Sequence, residues 1–120
     1  MKKILVADDK DTSRELIRTV LEQAGYSVFE ARDGGQAVRA AGEIRPDLII
    51  LDLHMPILDG FQVIAQLRAD QRFTHSPIVA LTASAMRGDR ERAMAAGFTG
   101  YIAKPIGLKE LRNEIHRYLG

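Results

Sequence analysis

The chain contains no cysteine, which excludes disulfide bridges and thiolate chemistry. It contains no long hydrophobic run. The first apolar stretch, Ile4 to Ala7, stops at Asp8, so the basic start Met1-Lys2-Lys3 does not lead into a secretion signal or a membrane span. It carries no surplus of charge: 17 Lys and Arg stand against 16 Asp and Glu, which gives no support to a nucleic-acid or membrane surface built on bulk charge. No low-complexity stretch or linker interrupts the 120 residues, enough for one domain with its own core. The expectation is a single cytoplasmic domain spanning 1–120. A glycine-rich phosphate loop is missing too. The first apolar run ends in acids, and Arg32-Asp33-Gly34-Gly35 has the wrong spacing for one.

What the chain does have is four short apolar runs that each end in a polar residue. Ile4-Leu5-Val6-Ala7 ends in Asp8-Asp9, and Leu48-Ile49-Ile50-Leu51 ends in Asp52. Ile78-Val79-Ala80-Leu81 ends in Thr82, and Tyr101-Ile102-Ala103 ends in Lys104. Continuous apolar runs of this length, alternating with helix-like stretches, mark buried parallel strands. Ser27 to Ala31 reads as a further strand, shorter in apolar content and therefore at a sheet edge.

The intervening segments have helical periodicity. Thr12 and Glu15 have capping-box spacing, with Asp11 the alternative cap. Leu16, Ile17, Val20, Leu21 and Ala24 then share one face, and Gly25 ends the helix. Gly34-Gly35 opens a second helix, with Ala37, Val38, Ala41 and Ile44 inward and Pro46 closing it. Asp59 is placed to cap a third, with Phe61, Ile64 and Leu67 inward. The fourth, about Arg87 to Ala96, includes Gly88 and has a mostly alanine apolar face, so low local stability is expected there. Leu108, Leu111, Ile115 and Leu119 give the fifth. Five βα units predict an α/β, flavodoxin-like, doubly wound fold, with strand order 2-1-3-4-5.

In such a sheet ligands bind just outside the carboxyl ends of the strands. That edge gathers Asp8, Asp9, Asp52, Thr82 and Lys104. Three crowded carboxylates repel one another unless a cation joins them. Magnesium takes oxygen ligands and is held by a few carboxylates together with a phosphate. A carboxylate can also attack phosphorus to form an acyl phosphate. Asp52, at the end of a central strand, is best placed to do so. Lys104 can meet a phosphoryl group as a point charge, and Thr82 can donate a hydrogen bond to it. Taken singly, these residues read as helix caps, a strand-end hydroxyl and an exposed lysine. Their common register favours the joint site. Lys104-Pro105 is a candidate cis peptide, which would aim the ammonium inward, although trans is the commoner state of such bonds.

In order and register, these motifs resemble the receiver domain of two-component response regulators, the CheY-like family, over essentially the whole chain. The resemblance rests on Val6-Ala7-Asp8-Asp9, Leu51-Asp52-Leu53-His54-Met55-Pro56 with Asp59-Gly60, Leu81-Thr82-Ala83, and Tyr101-Ile102-Ala103-Lys104-Pro105. The stretch Thr82 to Asp89 is similar to stand-alone regulators of cell-cycle signalling and to receivers joined to hybrid kinases. The resemblance implies that Asp52 accepts phosphate from a histidine kinase or a histidine phosphotransfer protein. It implies that Asp9, Asp52 and the backbone carbonyl of His54 ligate Mg²⁺, with Asp8 acting mainly through water. Tyr101 would be an aromatic switch that follows Thr82, changing a surface read by a downstream effector. His54 and Ser84 stand at positions that tune the lifetime of the phosphate in this family. No direct nucleic-acid or membrane contact is expected, and a phosphorylation-dependent dimer is left open. His75 reads as a loop residue and His116 as an outward residue, neither with a partner pattern for a metal.

Two other readings compete. An aspartyl-phosphate phosphatase would need a second acid two residues after the nucleophile, where this chain has His54. A degenerate receiver would have lost part of the set Asp9, Asp52, Thr82 and Lys104, all of which are present.

Overall fold

The computed structural model describes residues 1–83 and 87–120. The elements run β1 (Lys3–Ala7), α1 (Asp11–Gln23), β2 (Ser27–Ala31), α2 (Gly34–Ile44), β3 (Leu48–Asp52) and α3 (Gly60–Ala69). A short 3₁₀ turn (Gln71–Phe73) follows, then β4 (Ile78–Thr82), α4 (Arg87–Ala96), β5 (Gly100–Ala103) and α5 (Leu108–Leu119). The strands form one parallel sheet in the order β2-β1-β3-β4-β5. This is the (βα)₅ flavodoxin-like arrangement expected from the alternation of apolar runs and helices.

Successive strand residues point to opposite faces, so a strand buried on both sides must be apolar throughout. In β1, Ile4 and Val6 pack with Ile17, Val20 and Leu21 of α1 and with Leu111 and Ile115 of α5. Leu5 and Ala7 face the other way, into a core with Ala37 and Ala41 of α2 and Val63, Ile64 and Leu67 of α3. β3 and β4 are buried along their full length, which explains their unbroken apolar runs. β2 is half-exposed and lies at the sheet edge. Among the described residues, no helix is long and apolar enough to cross a membrane.

Two helix starts follow local side-chain chemistry. Asp59 and Gln62 form a reciprocal capping box at α3, and the Asp33 side chain accepts from Gln36 N at α2. α1 departs from expectation. Its N-cap is Lys10, which gives no side-chain cap, and neither Asp11 nor Thr12 caps it. Asp11 lies inside the first turn, paired with Arg14, so its carboxylate is spent on the guanidinium. Leu16 and Ala24 were expected on the inner face of α1 but are exposed, Leu16 by 43 %. The buried face is narrower than the apolar stripe: it covers Ile17, Val20 and Leu21, with Arg14 one turn before Ile17 on the same side. Phe61 is only half-buried, resting edge-on against Phe98.

One tertiary fastening had no signal in the sequence. Arg68, at the end of α3, donates from Nη1 to the carbonyls of Phe73 (2.7 Å), Ser76 (2.8 Å) and Thr74 (3.3 Å). Its Nη2 reaches Gly97 O at 2.8 Å and Thr99 Oγ1 at 3.2 Å, and its Nε also reaches Gly97 O, at 3.0 Å. One guanidinium thus binds the carbonyls that end α4 and those of the loop before β4. Burial without an acidic partner holds its pKa below the usual arginine value. Arg68→Met is expected to leave several of these carbonyls unsatisfied, lowering stability by about 2–3 kcal/mol. A urea midpoint that does not move would refute this.

Candidate functional site

The sheet register builds a staircase at the carboxyl edge. Ala7 pairs with Leu51, so the next residues, Asp8 and Asp52, come out side by side. Asp52 pairs with Leu81 and Thr82 with Ala103, which places Thr82 and then Lys104 each one step further out. Asp8 is fully buried, Asp52 is 4 % exposed, and Thr82 is buried. Asp9 is exposed. One carboxylate oxygen each from Asp8, Asp9 and Asp52 lie within 4.8 Å of one another, the one such grouping of metal-ligand residues among the described residues.

Lys104 ties the acids together. Its Nζ donates to Asp8 Oδ2 and to Asp52 Oδ2, each at 2.9 Å. Asp52 Oδ1 accepts from the His54 backbone N–H at 2.9 Å. Asp8 Oδ1 accepts from Lys10 N at 2.9 Å, and the Asp8 backbone N–H donates to Ala31 O at 3.1 Å. Asp8 is therefore held on every side, whereas Asp9 faces solvent.

The electrostatics follow from two carboxylates sharing one ammonium. Burial pushes the Asp52 carboxyl above the ordinary carboxylate range. The His54 N–H and the Lys104 hydrogen bond pull it back, and the charge on Asp8 adds to the rise. Burial alone would lower Lys104, but hydrogen bonds and charge from Asp52 and Asp8 outweigh it and leave the ammonium above its usual value. The lysine is thus firmly protonated, and the acids keep an unbalanced negative charge when ionised. Three oxygen donors around that excess suit a hard divalent cation such as Mg²⁺.

The remaining predicted residues fall around this centre. The Thr82 hydroxyl donates to Asp89 Oδ2 of α4 at 3.3 Å, a contact the sequence did not suggest. The Lys104–Pro105 peptide bond is cis. Tyr101 is half-buried on β5 and lines a cleft of about 150 Å³ with Arg90 and Met94 of α4 and Glu114 and Tyr118 of α5. His54 is exposed, as are His75 and His116, which stand apart from the acids. Ser84 lies outside the described residues. Arg14 was missed altogether: it is buried, and its Nη1 donates to the Asp8 carbonyl at 2.8 Å. Only its place five residues after an acid pair hinted at a role.

Comparison with known proteins agrees with this geometry. A family model described as the response regulator receiver domain matches residues 4–116. The polar-differentiation response regulator DivK of Brucella anthropi is 37 % identical over 119 residues, covering 99 % of this chain and 97 % of its own. A chemotaxis response regulator of Vibrio cholerae superposes with a TM-score of 0.94 at 33 % identity, over 99 % of both chains. The receiver domain of a sensor histidine kinase from Pseudomonas aeruginosa superposes with a TM-score of 0.90 at 38 % identity, over 98 % of this chain and 96 % of its own. That structure is described with a magnesium ion coordinated in its active site cleft.

Proposed function

The chain belongs to the response regulator receiver family and so acts in two-component phosphoacceptor signalling; from that premise we propose that Asp52 is its phosphoacceptor. The observation that carries the assignment is the Lys104 ammonium held at 2.9 Å from both Asp8 and Asp52. It puts a cation in reach of an incoming phosphoryl group, and of the two acids it holds, Asp8 is fully buried whereas Asp52, on the central strand β3, keeps some exposure.

In the reaction, an Asp52 carboxylate oxygen attacks the phosphorus of a donor phosphohistidine. The P–N bond breaks, the electron pair leaves with the imidazole, and an acyl phosphate forms on Asp52. Lys104 exchanges a carboxylate oxygen for a phosphoryl oxygen without crossing the site. Thr82 exchanges its Asp89 acceptor for another phosphoryl oxygen. Asp9 and Asp52, with the His54 carbonyl, are the residues proposed to hold Mg²⁺. Asp8, fully buried behind them and held by Lys10 N and Lys104, is proposed to serve through water. Magnesium supplies positive charge against the phosphoryl oxygens. The donor is a sensor histidine kinase or a histidine phosphotransfer protein in the cytoplasm. We read the whole of 1–120 as one receiver domain that turns over no separate substrate.

The output is a change of surface around Tyr101. When Thr82 leaves Asp89, the first turn of α4 loses a contact, and the half-buried Tyr101 ring can follow toward Thr82. That alters the face formed by α4, β5 and α5, where an effector or a second copy of the chain would bind. His54 and Ser84 would tune how long the acyl phosphate lasts.

Incubation with acetyl phosphate and Mg²⁺ should add one phosphoryl group by intact mass, released by hydroxylamine and prevented by EDTA. A folded protein that takes up neither phosphate nor Mg²⁺ would overturn the assignment. Lys104→Ala should still accept phosphate but lose most of the coupling to Tyr101. The check is the set of amide shifts in β5 and α5 on phosphorylation: wild-type-sized shifts in this variant would refute the role of Lys104.

A further inference from the structure

We infer that Arg14 is a positioning residue for the cation site, acting by fixing the peptide unit that joins Asp8 to Asp9; the inference rests on the reading of Asp9 as a metal ligand. The Arg14 side chain is 6 % exposed. Its guanidinium divides its donors among three partners. Nη1 donates to the Asp8 carbonyl at 2.8 Å, Nε to Glu30 Oε1 at 3.1 Å, and Nη2 to the Asp11 carboxylate. Glu30 is itself held by Arg18 Nη1 at 2.7 Å.

The Asp8 carbonyl belongs to the planar unit that also contains the Asp9 nitrogen. Holding that carbonyl sets the direction in which the Asp9 backbone leaves the sheet. Asp9 is exposed, so the starting direction of its side chain has to come from the backbone behind it. Arg14 supplies that restraint from α1 and braces it on the edge strand, where Glu30 immediately precedes the Ala31 carbonyl that accepts from Asp8 N. The planar, multidonor guanidinium suits the task, because an ammonium offers no fixed fork.

A purely stabilising role explains the arrangement less well. Burying an arginine with its acids is often no better than filling the space with an apolar side chain. Here the guanidinium takes a turn of α1 that would otherwise extend the apolar face of Ile17 and Val20, and it ends on the backbone of an acid in the site. Asp11 and Glu30 neutralise its charge, so its effect on a bound cation comes through geometry.

The test is Mg²⁺ titration of wild type, Arg14→Lys and Arg14→Met by calorimetry, with the amide shifts of Asp8 and Asp9 followed by NMR and a urea midpoint for each protein. Calorimetry is suitable because the chain has no tryptophan to report binding. Both variants are expected to bind Mg²⁺ about tenfold more weakly, as when support behind a metal ligand is removed. If Arg14→Met does not fold, Arg14→Lys decides alone. A lower urea midpoint with an unchanged Mg²⁺ Kd would overturn the inference in favour of a stabilising role. Tighter binding in Arg14→Met with unchanged binding in Arg14→Lys would overturn it in favour of simple charge. Wild-type protein that binds no Mg²⁺ would overturn the reading of the site itself, and this inference with it.

Discussion

Asp52→Asn is expected to abolish acyl phosphate formation and, at the same time, to raise the melting temperature of the metal-free protein. The first effect follows from the chemistry: an amide oxygen is too weak a nucleophile to displace imidazole from phosphorus. The second follows from burial first: loss of water around the Asp52 carboxylate is the largest cause of its raised pKa, and repulsion from Asp8 adds to it, while the His54 N–H and Lys104 offset part. A neutral amide escapes that cost, so the variant should be the more stable of the two without metal.

The gain should depend on pH in a defined direction. Burial, and the neighbouring Asp8, hold the folded Asp52 carboxyl above its ordinary value. An acid raised in this way costs nothing while protonated in both folded and unfolded chains. The cost grows as pH climbs from the unfolded value to the folded one, and is complete above that. The stability advantage of Asp52→Asn should therefore be full at neutral pH and fade on acidification through the carboxylate range. Saturating Mg²⁺ should narrow it, because the cation stabilises only the native acid cluster. Differential scanning calorimetry across pH, with and without Mg²⁺, reads all three trends. A variant less stable than wild type at neutral pH without metal would contradict the account, as would stable phosphate found on it by intact mass.

Gly60→Ala is the second large effect, and it comes from space rather than charge. Gly60 opens α3 with its backbone pressed against the strand end that carries Asp52. A Cβ there would lie 2.7 Å from Asp52 O and 2.8 Å from Leu53 Cα, both backbone atoms that cannot turn aside. The better helix propensity of alanine, about 1 kcal/mol, is smaller than overpacking of this kind, about 1–3 kcal/mol or more. Because relief requires α3 to move off the end of β3, acetyl phosphate labelling should slow as stability falls. Gly88→Ala is the control. Its Cβ would meet nothing within 4 Å among the described residues, so it should stabilise the protein by up to about 1 kcal/mol and leave labelling unchanged. Equal urea midpoints for Gly60→Ala and wild type would refute the close-approach argument.

The parallel strands and their polar ends were readable in the sequence because burial on both faces leaves an unbroken apolar run that stops where the sheet stops. The pairing of Asp8 with Asp52 followed once the strand order was guessed. Several features were hidden. Arg14 and Arg68 look like surface residues in a one-dimensional pattern, because charge usually marks exposure; here Arg14 is drawn in by the Asp8 carbonyl and the Asp11 and Glu30 carboxylates, and Arg68 by carbonyls of the loop before β4 and of Gly97. Leu16 was misplaced because the apolar stripe of α1 is wider than the face the sheet covers, which holds Ile17, Val20 and Leu21. The cap of α1 failed because Asp11 found a better partner one turn away. The Gln71–Phe73 turn, with Phe73 buried beneath it, has no periodicity to detect. The Thr82–Asp89 contact depends on where α4 lies relative to β4, which local pattern does not encode.

The Arg68 fan makes α4 a lever. It fastens the carboxyl end of that helix through Gly97 O, while Thr82 meets the amino end through Asp89. A helix of ten residues is about 15 Å long, so a tilt of about 10° around the fastened end carries the first turn through about 2–3 Å. The exchange of one hydroxyl's acceptor acts at the free end of that arm, where leverage on the helix is greatest, so it would turn the outer face of α4 as one piece about the fastened end. The reach of the signal is then set by where the fulcrum sits, and Arg68 sits as far from Thr82 as α4 allows.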